Sequence, residues 1–403
     1  MRLMAGSDMK DRNTFKVFEC IKRSGPLTKK EIQEMTNLSW GSISNNTASL
    51  FSAGLISETK FQQGSVGRTP STHDICDTDN LCIGIDVSTD SIRGCVTSLK
   101  CKSLIKVSES LLNNDAQAVV EQTICVLHKL FNSMTDKTVI KGIGVSLPGL
   151  VNIDIGEPVF IHQFKGLFPH NFVQIIEKEF CVPTWVFHDT ECMMMSELKT
   201  LSDAERHMNF LSIRWSYSGI GMSMMLGGNL YRGSSKAAGE LGHTIINPDG
   251  PLCSCGQAGC LEAYASIKNI VKRVRFGASM GLCPTLKDYE CDLNEVDFNS
   301  VLQGIDQKDP YILNIVEEAI AYMGIAIANT VNLIDPQFII IGGEFSGANQ
   351  SCYKLLKEII EKRCWRKQPI DLKISNQPQN SAAVGAAEMM VNNIYYNVFD
   401  SKL

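Results

Sequence analysis

The spacing of apolar and polar positions changes character twice along the 403-residue chain. Residues 14–58 read as three short helices. In TFKVFECIKRSG, Phe15, Phe18 and Ile21 recur at helical spacing, and Gly25-Pro26 ends the run. LTKKEIQEMTN opens at Thr28 with Glu31 three positions on, the spacing of a capping box. LSWGSISNNTASLFSAGLI is expected to start at Ser39, bury Ile43, Leu50 and Phe51, and stop at Gly54. A tight turn over residues 36–38 joins the last two helices into a helix-turn-helix, whose second helix can lie in a major groove. Ser42, Asn45 and Asn46 are expected on its solvent side, as short polar groups able to reach base edges or phosphates. After Leu55, ISETKFQQGSVGRTPSTHDIC predicts a β-wing with Gly64 and Gly67 at its turn. Arg68 falls at or just past the tip, where a guanidinium suits phosphate or a narrow minor groove.

From residue 81 the texture is α/β. LCIGIDVS and SIRGCVTSL read as strands about a turn at Thr89 and Asp90. A helix over 115–134 places Val120, Ile124, Leu127 and Phe131 on one side, and VIKGIGVSLPG is a third strand. LNIVEEAIAYMGIAIANTVNLI is a long apolar helix feeding the strand PQFIIIGG, and SAAVGAAEMMVNNIYYNVF is a last helix. Strands alternating with helices predict mixed or parallel sheets covered on both faces, with ligands at the carboxyl ends of the strands. Residues 276–300 read as a polar loop or short-helix insertion.

Composition narrows the class. A hydrophobic fraction of 44% and a charged fraction of 20% fit a folded soluble protein. The amino terminus lacks the apolar block of a secretory signal, and no continuous apolar run reaches the length of a membrane span, so a cytoplasmic protein with no membrane partner is expected. In so long a chain, fifteen cysteines are expected to be mostly reduced thiols. The net charge of −5 hides an asymmetry: residues 1–75 hold ten Lys and Arg against seven Asp and Glu, +3, which leaves −8 on the rest. A basic head on an acidic body suggests two partners, with DNA the partner of the head. A helical protein-interaction module is the alternative reading of the head.

The densest chemistry lies in GELGHTIINPDGPLCSCGQAGCLEA. Cys253, Cys255 and Cys260 fall within eight residues, and Gly256 and Gly259 relax the backbone between the last two. His243 can complete a tetrahedral Cys3His set suited to zinc, and four protein ligands leave no open position, so the metal would be structural. Redox-active thiols are the alternative. Glu240 and His243 can face one side of a turn, and Glu262 follows two residues after the last cysteine. Carboxylates and imidazole are suitable partners for adjacent hydroxyls, which suggests a polyol or a sugar.

These residues resemble one family. Ser39, Ile43, Ser44, Leu50, Gly54 and Leu55, with the Gly-Arg-x-Pro of GRTP, are similar to the winged-helix head of the repressor branch of the ROK family (repressors, open reading frames, kinases). CSCGQAGCLE matches the family pattern Cys-x-Cys-Gly-x-x-Gly-Cys-x-Glu at every fixed position, and most of residues 81–395 resembles the family's sugar-kinase part. The resemblance implies an α/β chain with an N-terminal winged helix-turn-helix over 1–78 and a two-lobed, actin/hexokinase-like (ribonuclease H-like) body. The first lobe would span 79–190, completed by 381–403, and the second 191–380 with the zinc site. It also implies that Glu240, His243 and Glu262 contact a sugar, with His243 binding zinc as well. VFHDTEC resembles the family's Asn-Asp-x-Asn segment, so Asp189 matches its general base and His188 stands where a sugar-contacting asparagine is expected.

The phosphate loops depart from the family. Its Gly-Gly-Thr-Lys is replaced by Ser88, Thr89, Asp90 and Ser91. Losing two glycines crowds the backbone around a phosphate, and a free Asp90 carboxylate ~4 Å away would add about 4 kcal/mol of repulsion at an effective dielectric near 20. In its Gly-Thr-Gly-x-Gly loop Tyr217 stands at the first glycine, although Gly219 and Gly221 remain, and after Gly342 and Gly343 comes Glu344 where many relatives have glycine. The expectation is a sugar-responsive DNA-binding regulator, a repressor, binding operator DNA as a homodimer or homotetramer. Its effector would be a sugar or sugar phosphate, zinc its structural cofactor, ATP and Mg no part of it, and Asp189 a hydrogen-bond acceptor. The alternative is an active ATP-dependent sugar kinase carrying an accessory DNA-binding head.

Overall fold

The computed structural model describes residues 6–60, 71–161, 163–217, 219–289, 293–366, 368–377 and 381–400. Arg68, Gly64 and Gly67 lie outside the described residues.

The head consists of α1 (Gly6–Ser24), β1 (Leu27–Thr28), α2 (Lys29–Thr36), α3 (Trp40–Ser52), β2 (Ile56–Lys60) and β3 (Ser71–Ile75). Its strands form an antiparallel sheet in the order β1-β3-β2. The helix starts follow from local chemistry. Glu31 N donates to Thr28 Oγ1 at 3.3 Å while Thr28 N donates to Glu31 Oε2 at 2.7 Å, completing the capping box. Ser42 N donates to Ser39 Oγ at the start of α3. Val17, Phe18, Ile21, Ile32, Ile43 and Leu50 fill the core between the three helices. Phe51, expected inside, is 53% exposed. One residue beyond Leu50 is about 100° further round the helix, which turns the ring to solvent.

Two five-stranded sheets build the body. The first contains β4 (Leu81–Val87), β5 (Ser91–Ser98), β6 (Ser103–Ser110) and β7 (Ile140–Leu147), then, after the β8 (Leu150–Asn152) and β9 (Glu157–Phe160) hairpin, β10 (Thr184–His188). Its order is β10-β7-β4-β5-β6, with β4 parallel to β7 and β7 parallel to β10. α4 (Ala116–Asn132) and α5 (Phe172–Phe180) share its apolar core. α6 (Asp189–Glu197) and α7 (Asp203–Arg206) lead to the second sheet, formed by β11 (Phe210–Ser216), β12 (Gly219–Leu226), β13 (Asn229–Tyr231), β14 (Phe338–Gly342) and β15 (Asp371–Ile374) in the order β13-β12-β11-β14-β15.

α8 (Leu261–Ala265), α9 (Ile267–Ser279), α10 (Phe298–Asp306), α11 (Pro310–Ile334) and α12 (Gln350–Arg363) pack with β11 and β14 in one continuous core. Between α9 and α10 lie two short 3-10 stretches, Pro284–Tyr289 and Leu293–Glu295, in line with the expected insertion. By length and mean hydropathy α11 could cross a membrane, although Glu317 and Glu318 interrupt its apolar run; 56% of its most apolar window is buried inside the second lobe. A buried core helix is apolar for the same reason a membrane span is, since neither faces water.

α13 (Ser381–Asp400) returns from the second sheet to the first. It lies so close that a Cβ on Gly84 would sit 1.8 Å from Ala383 O, and one on Gly144 2.1 Å from Ala386 O. Glycines in β4 and β7 and alanines in α13 therefore set the contact distance. Further along α13, Ala387 and Val391 join the core around Phe18 and Ile21 and so reach the head.

Candidate functional site

The carboxyl end of β10 opens into a cavity of about 380 Å³, and all five sequence-predicted ligand contacts, His188, Asp189, Glu240, His243 and Glu262, line it. Asp189 is the first residue of α6, and Thr190 N donates to its Oδ1 at 2.7 Å. His188 Nδ1 shares a 2.8 Å hydrogen bond with Thr190 Oγ1, and its Nε2 is 3.7 Å from Glu240 Oε1. Burial opposes the charged imidazole, but Glu240, Asp189 and Glu191 outweigh it and raise the His188 pKa.

Ile220 N donates to Glu262 Oε2 at 3.1 Å. The two glycines kept from the phosphate loop serve this wall of the cavity. Gly219 has φ of +137°, and a Cβ there would lie 2.3 Å from Glu262 Oε2. A Cβ on Gly221 would meet Thr190 Cγ2 at 2.5 Å. Their retention is explained by Glu262 and Thr190 without reference to a nucleotide.

His243, Cys253, Cys255 and Cys260 place one ligand atom each within 4.8 Å of one another. Cys253 Sγ is 3.7 Å from His243 Nδ1, and Cys255 Sγ is 3.6 Å from Cys260 Sγ. A tetrahedral centre with metal–sulfur bonds of about 2.3 Å has edges of about 3.8 Å, so the four can hold one metal ion. The clip ties the ends of the site together: Ile246 N donates to Gly259 O at 2.8 Å and Leu261 N to Thr244 O at 2.9 Å. Glu240 and Glu262 thereby stand at the two ends of one loop that carries the four candidate ligands.

Sequence reasoning missed Arg214. From β11 of the second sheet, its Nη1 donates to Asp189 Oδ2 at 2.9 Å and its Nη2 to Ser88 Oγ at 3.1 Å, and it lies 3.9 Å from Asp86 Oδ1. A single charged residue inside the strand FLSIRWS was the available signal. Arg232 was missed as well. It grips Glu191 bidentately at 2.7 and 3.0 Å.

The degenerate loops line a second, polar cleft of about 550 Å³. Asp90 is not the free charge that the repulsion argument assumed, because Arg93 Nη2 donates to its Oδ2 at 3.0 Å and Ser91 Oγ at 3.1 Å. The pairing removes most of that repulsion. Tyr217 lines the cleft, and its backbone N donates to Glu344 Oε2 at 3.1 Å, so two of the substitutions are bonded to each other.

In the head, Asn45 is exposed and Ser42 half-buried. Asn46 is not on the solvent side, which corrects the sequence expectation. It is buried, accepting from Thr14 Oγ1 at 2.9 Å and donating to Ser42 Oγ at 3.1 Å. Lying three residues after Ile43 and four before Leu50, it belongs to their inward stripe.

Residues 82–393 match the ROK family. The xylose repressor of Bacillus spizizenii is 25% identical over 374 residues, covering 92% of this chain and 92% of that repressor. The DNA-binding transcriptional dual regulator NagC of Escherichia coli K12 is 25% identical over 385 residues, covering 94% of this chain and 92% of NagC. Among solved structures, a ROK family transcriptional regulator described as a homolog of the E. coli MLC protein aligns with a TM-score of 0.80 at 24% identity, over 97% of this chain and 98% of that one. A ROK family glucokinase from Streptomyces griseus, in complex with glucose and AMPPNP, aligns with a TM-score of 0.68 at 21% identity, over 77% of this chain and 99% of the kinase. The family match begins in β4, runs through both five-stranded sheets and ends inside α13, and on that ground the chain belongs to the ROK family.

Proposed function

We propose that this protein is a sugar-responsive, DNA-binding transcriptional regulator, a repressor, whose body binds a sugar or sugar phosphate without phosphorylating it. The observation that carries this reading is the cavity at the end of β10. It presents His188, Asp189, Glu240 and Glu262 to a polyhydroxyl ligand while Arg214 occupies the side facing the former phosphate loops. The names of the similar repressors agree with it. The three sheets support a division into a head over 1–78, a first lobe over 79–190 completed by 381–403, and a second lobe over 191–380.

Each residue has a proposed part. His188, Asp189, Glu240, His243 and Glu262 bind the sugar. Zinc, held by His243, Cys253, Cys255 and Cys260, is structural and fixes the Glu240 and Glu262 segments. Asn45 and Ser42, with Arg68, contact operator DNA in the cytoplasm. Two half-sites require a homodimer or homotetramer. Sugar that binds one arrangement of the lobes better than another shifts the protein toward it, and DNA affinity changes by the differential binding free energy.

The test is a thermal-shift screen with hexoses, pentoses, amino sugars and their phosphates, followed by mobility shifts on the protein's own upstream DNA. A sugar that raises the melting temperature and changes DNA affinity is expected. No stabilising sugar, or one without effect on DNA binding, rejects the reading. The kinase alternative is favoured by Asp189 standing at the start of α6 within the cavity. Steady ATP turnover with the binding sugar, abolished by Asp189→Asn, would establish it instead.

A further inference from the structure

Arg214 is the one described residue that lines both the sugar cavity and the polar cleft behind it. It rises from the second sheet, yet its partners belong to the first. Asp86 and Ser88 lie at and just beyond the end of β4, and Asp189 follows the end of β10. Asp86 and Asp189 are both buried, and buried carboxylates demand a cation. Asp86 also accepts from Ser146 Oγ at 2.8 Å and from Ser88 Oγ at 3.1 Å, with Arg93 Nη1 at 3.6 Å. Arg214 is therefore the charge that joins the two lobes. Its position has a second consequence. Ser88 heads the degenerate phosphate loop, and a guanidinium bonded to both Ser88 and Asp189 lies between that loop and the cavity.

We propose that Arg214 is an interlobe clamp, a resident cation that takes the place of the phosphoryl donor between the lobes, holds Asp189 as an acceptor for a sugar hydroxyl, and lets the sugar cavity form without nucleotide. The proposal rests on the reading of the cavity as a sugar site, but the clamp has a readout of its own. Removing the guanidinium takes from two buried carboxylates of the first lobe the counter-charge that the second lobe supplies, and the tie between the lobes is lost. A small planar cation added from solution can refill the gap, which it could not do if Arg214 merely filled volume.

The experiment compares the full-length protein with Arg214→Ala and Arg214→Lys. Sugar affinity is read by titration calorimetry, and amide exchange is followed in residues 86–91, each with and without millimolar guanidinium chloride. Arg214→Ala is expected to weaken sugar binding on the order of tenfold or more and to speed exchange in residues 86–91, with guanidinium restoring both. Arg214→Lys keeps the charge but cannot reach Asp189 and Ser88 together, so intermediate affinity is expected. Wild-type affinity and exchange in a folded Arg214→Ala protein, or losses that guanidinium does not recover, overturn the clamp. If Arg214→Ala does not fold, wild-type affinity in Arg214→Lys overturns it. If the unmodified protein binds no sugar, the sugar reading fails, while cation-dependent exchange across the cleft still decides the clamp.

Discussion

Lys22 on α1 and Glu388 on α13 meet at 3.4 Å across the seam between head and body, 366 positions apart in the chain. Lys199 adds a second ammonium 3.2 Å from the same carboxylate, and Glu19 lies 3.3 Å from Lys22. α13 also packs along α6, the helix that begins at Asp189. One ion cluster thus anchors the head to α13, which packs along the helix that begins at Asp189.

Replacing Glu388 by Gln takes the counter-charge from Lys199 and leaves the buried Lys22 with Glu19 alone. The expected loss is about 3–5 kcal/mol, read as a lower urea midpoint, with the added substitution Lys22→Met recovering part of it. Burial opposes the Glu388 charge, but Lys22 and Lys199 outweigh it and hold its pKa below the usual carboxylate range. The cluster's contribution is then complete above the unfolded carboxylate pKa, roughly 4.3, and is lost as pH falls through the lower folded value. Lys22 is shifted upward, so its contribution is lost only at strongly alkaline pH. A midpoint that varies steeply between pH 6 and 8 through this cluster would contradict the assignment.

His73 on β3 gives the head a different acid response. It is buried and, among the described residues, neither ring nitrogen has a hydrogen-bond partner. Burial lowers its pKa, Glu58 directly across the strand pair works the other way, and Lys29 adds to the lowering. The folded head therefore binds this proton less readily than the unfolded chain. Stability is full above pH about 6.5 and falls as pH drops toward the folded value, by at most about 1.4 kcal/mol per pH unit. His73→Phe is expected to flatten that slope in denaturation curves taken from pH 7 to 5. An unchanged slope rejects the role.

Two adjacent asparagines on α3 point different ways, Asn45 exposed and Asn46 buried. Asn45→Ala is expected to weaken operator binding, by about 1–3 kcal/mol if it reads a base, and to leave the melting temperature unchanged. Asn46→Ala is expected to cost about 1–3 kcal/mol of head stability by removing the buried amide that bonds Thr14 Oγ1 and Ser42 Oγ. Mobility shifts and thermal melts on both variants check the pair, and the reverse pattern would mean that α3 lies differently on DNA.

What could be read from sequence was whatever local chemistry determines. Thr28 with Glu31 and Ser39 with Ser42 set helix starts within three residues, and three cysteines in eight mark the clip before any fold is known. Asn46 was within reach too, because its phase with Ile43 and Leu50 places it inward. Arg214 was not. Its partners are 25 and 126 positions away, and the bond between Tyr217 N and Glu344 spans 127, so only the folded cleft brings them together. The tolerance of Asp90 had the same origin, since its neutralising partner Arg93 is visible in sequence but its rotamer is not.

The metal clip supplies the last prediction. Its four ligand atoms lie within 4.8 Å of one another, close enough to converge on one ion, and the loop that bears them carries Glu240 at one end and Glu262 at the other. Removing the ion leaves Cys255 and Cys260 as ordinary thiols and frees the segment between Thr244 and Leu261, so the two carboxylates lose their fixed separation. Elemental analysis is expected to find about one zinc per chain, and Cys255→Ser or a strong chelator to remove it. Sugar affinity should then fall on the order of tenfold or more, while the core around Phe18 and Ile21, which shares no residue with the clip, keeps its amide protection. Zinc-free protein with undiminished sugar affinity would show that the clip does not shape the cavity, and the positions of Glu240 and Glu262 would need another cause.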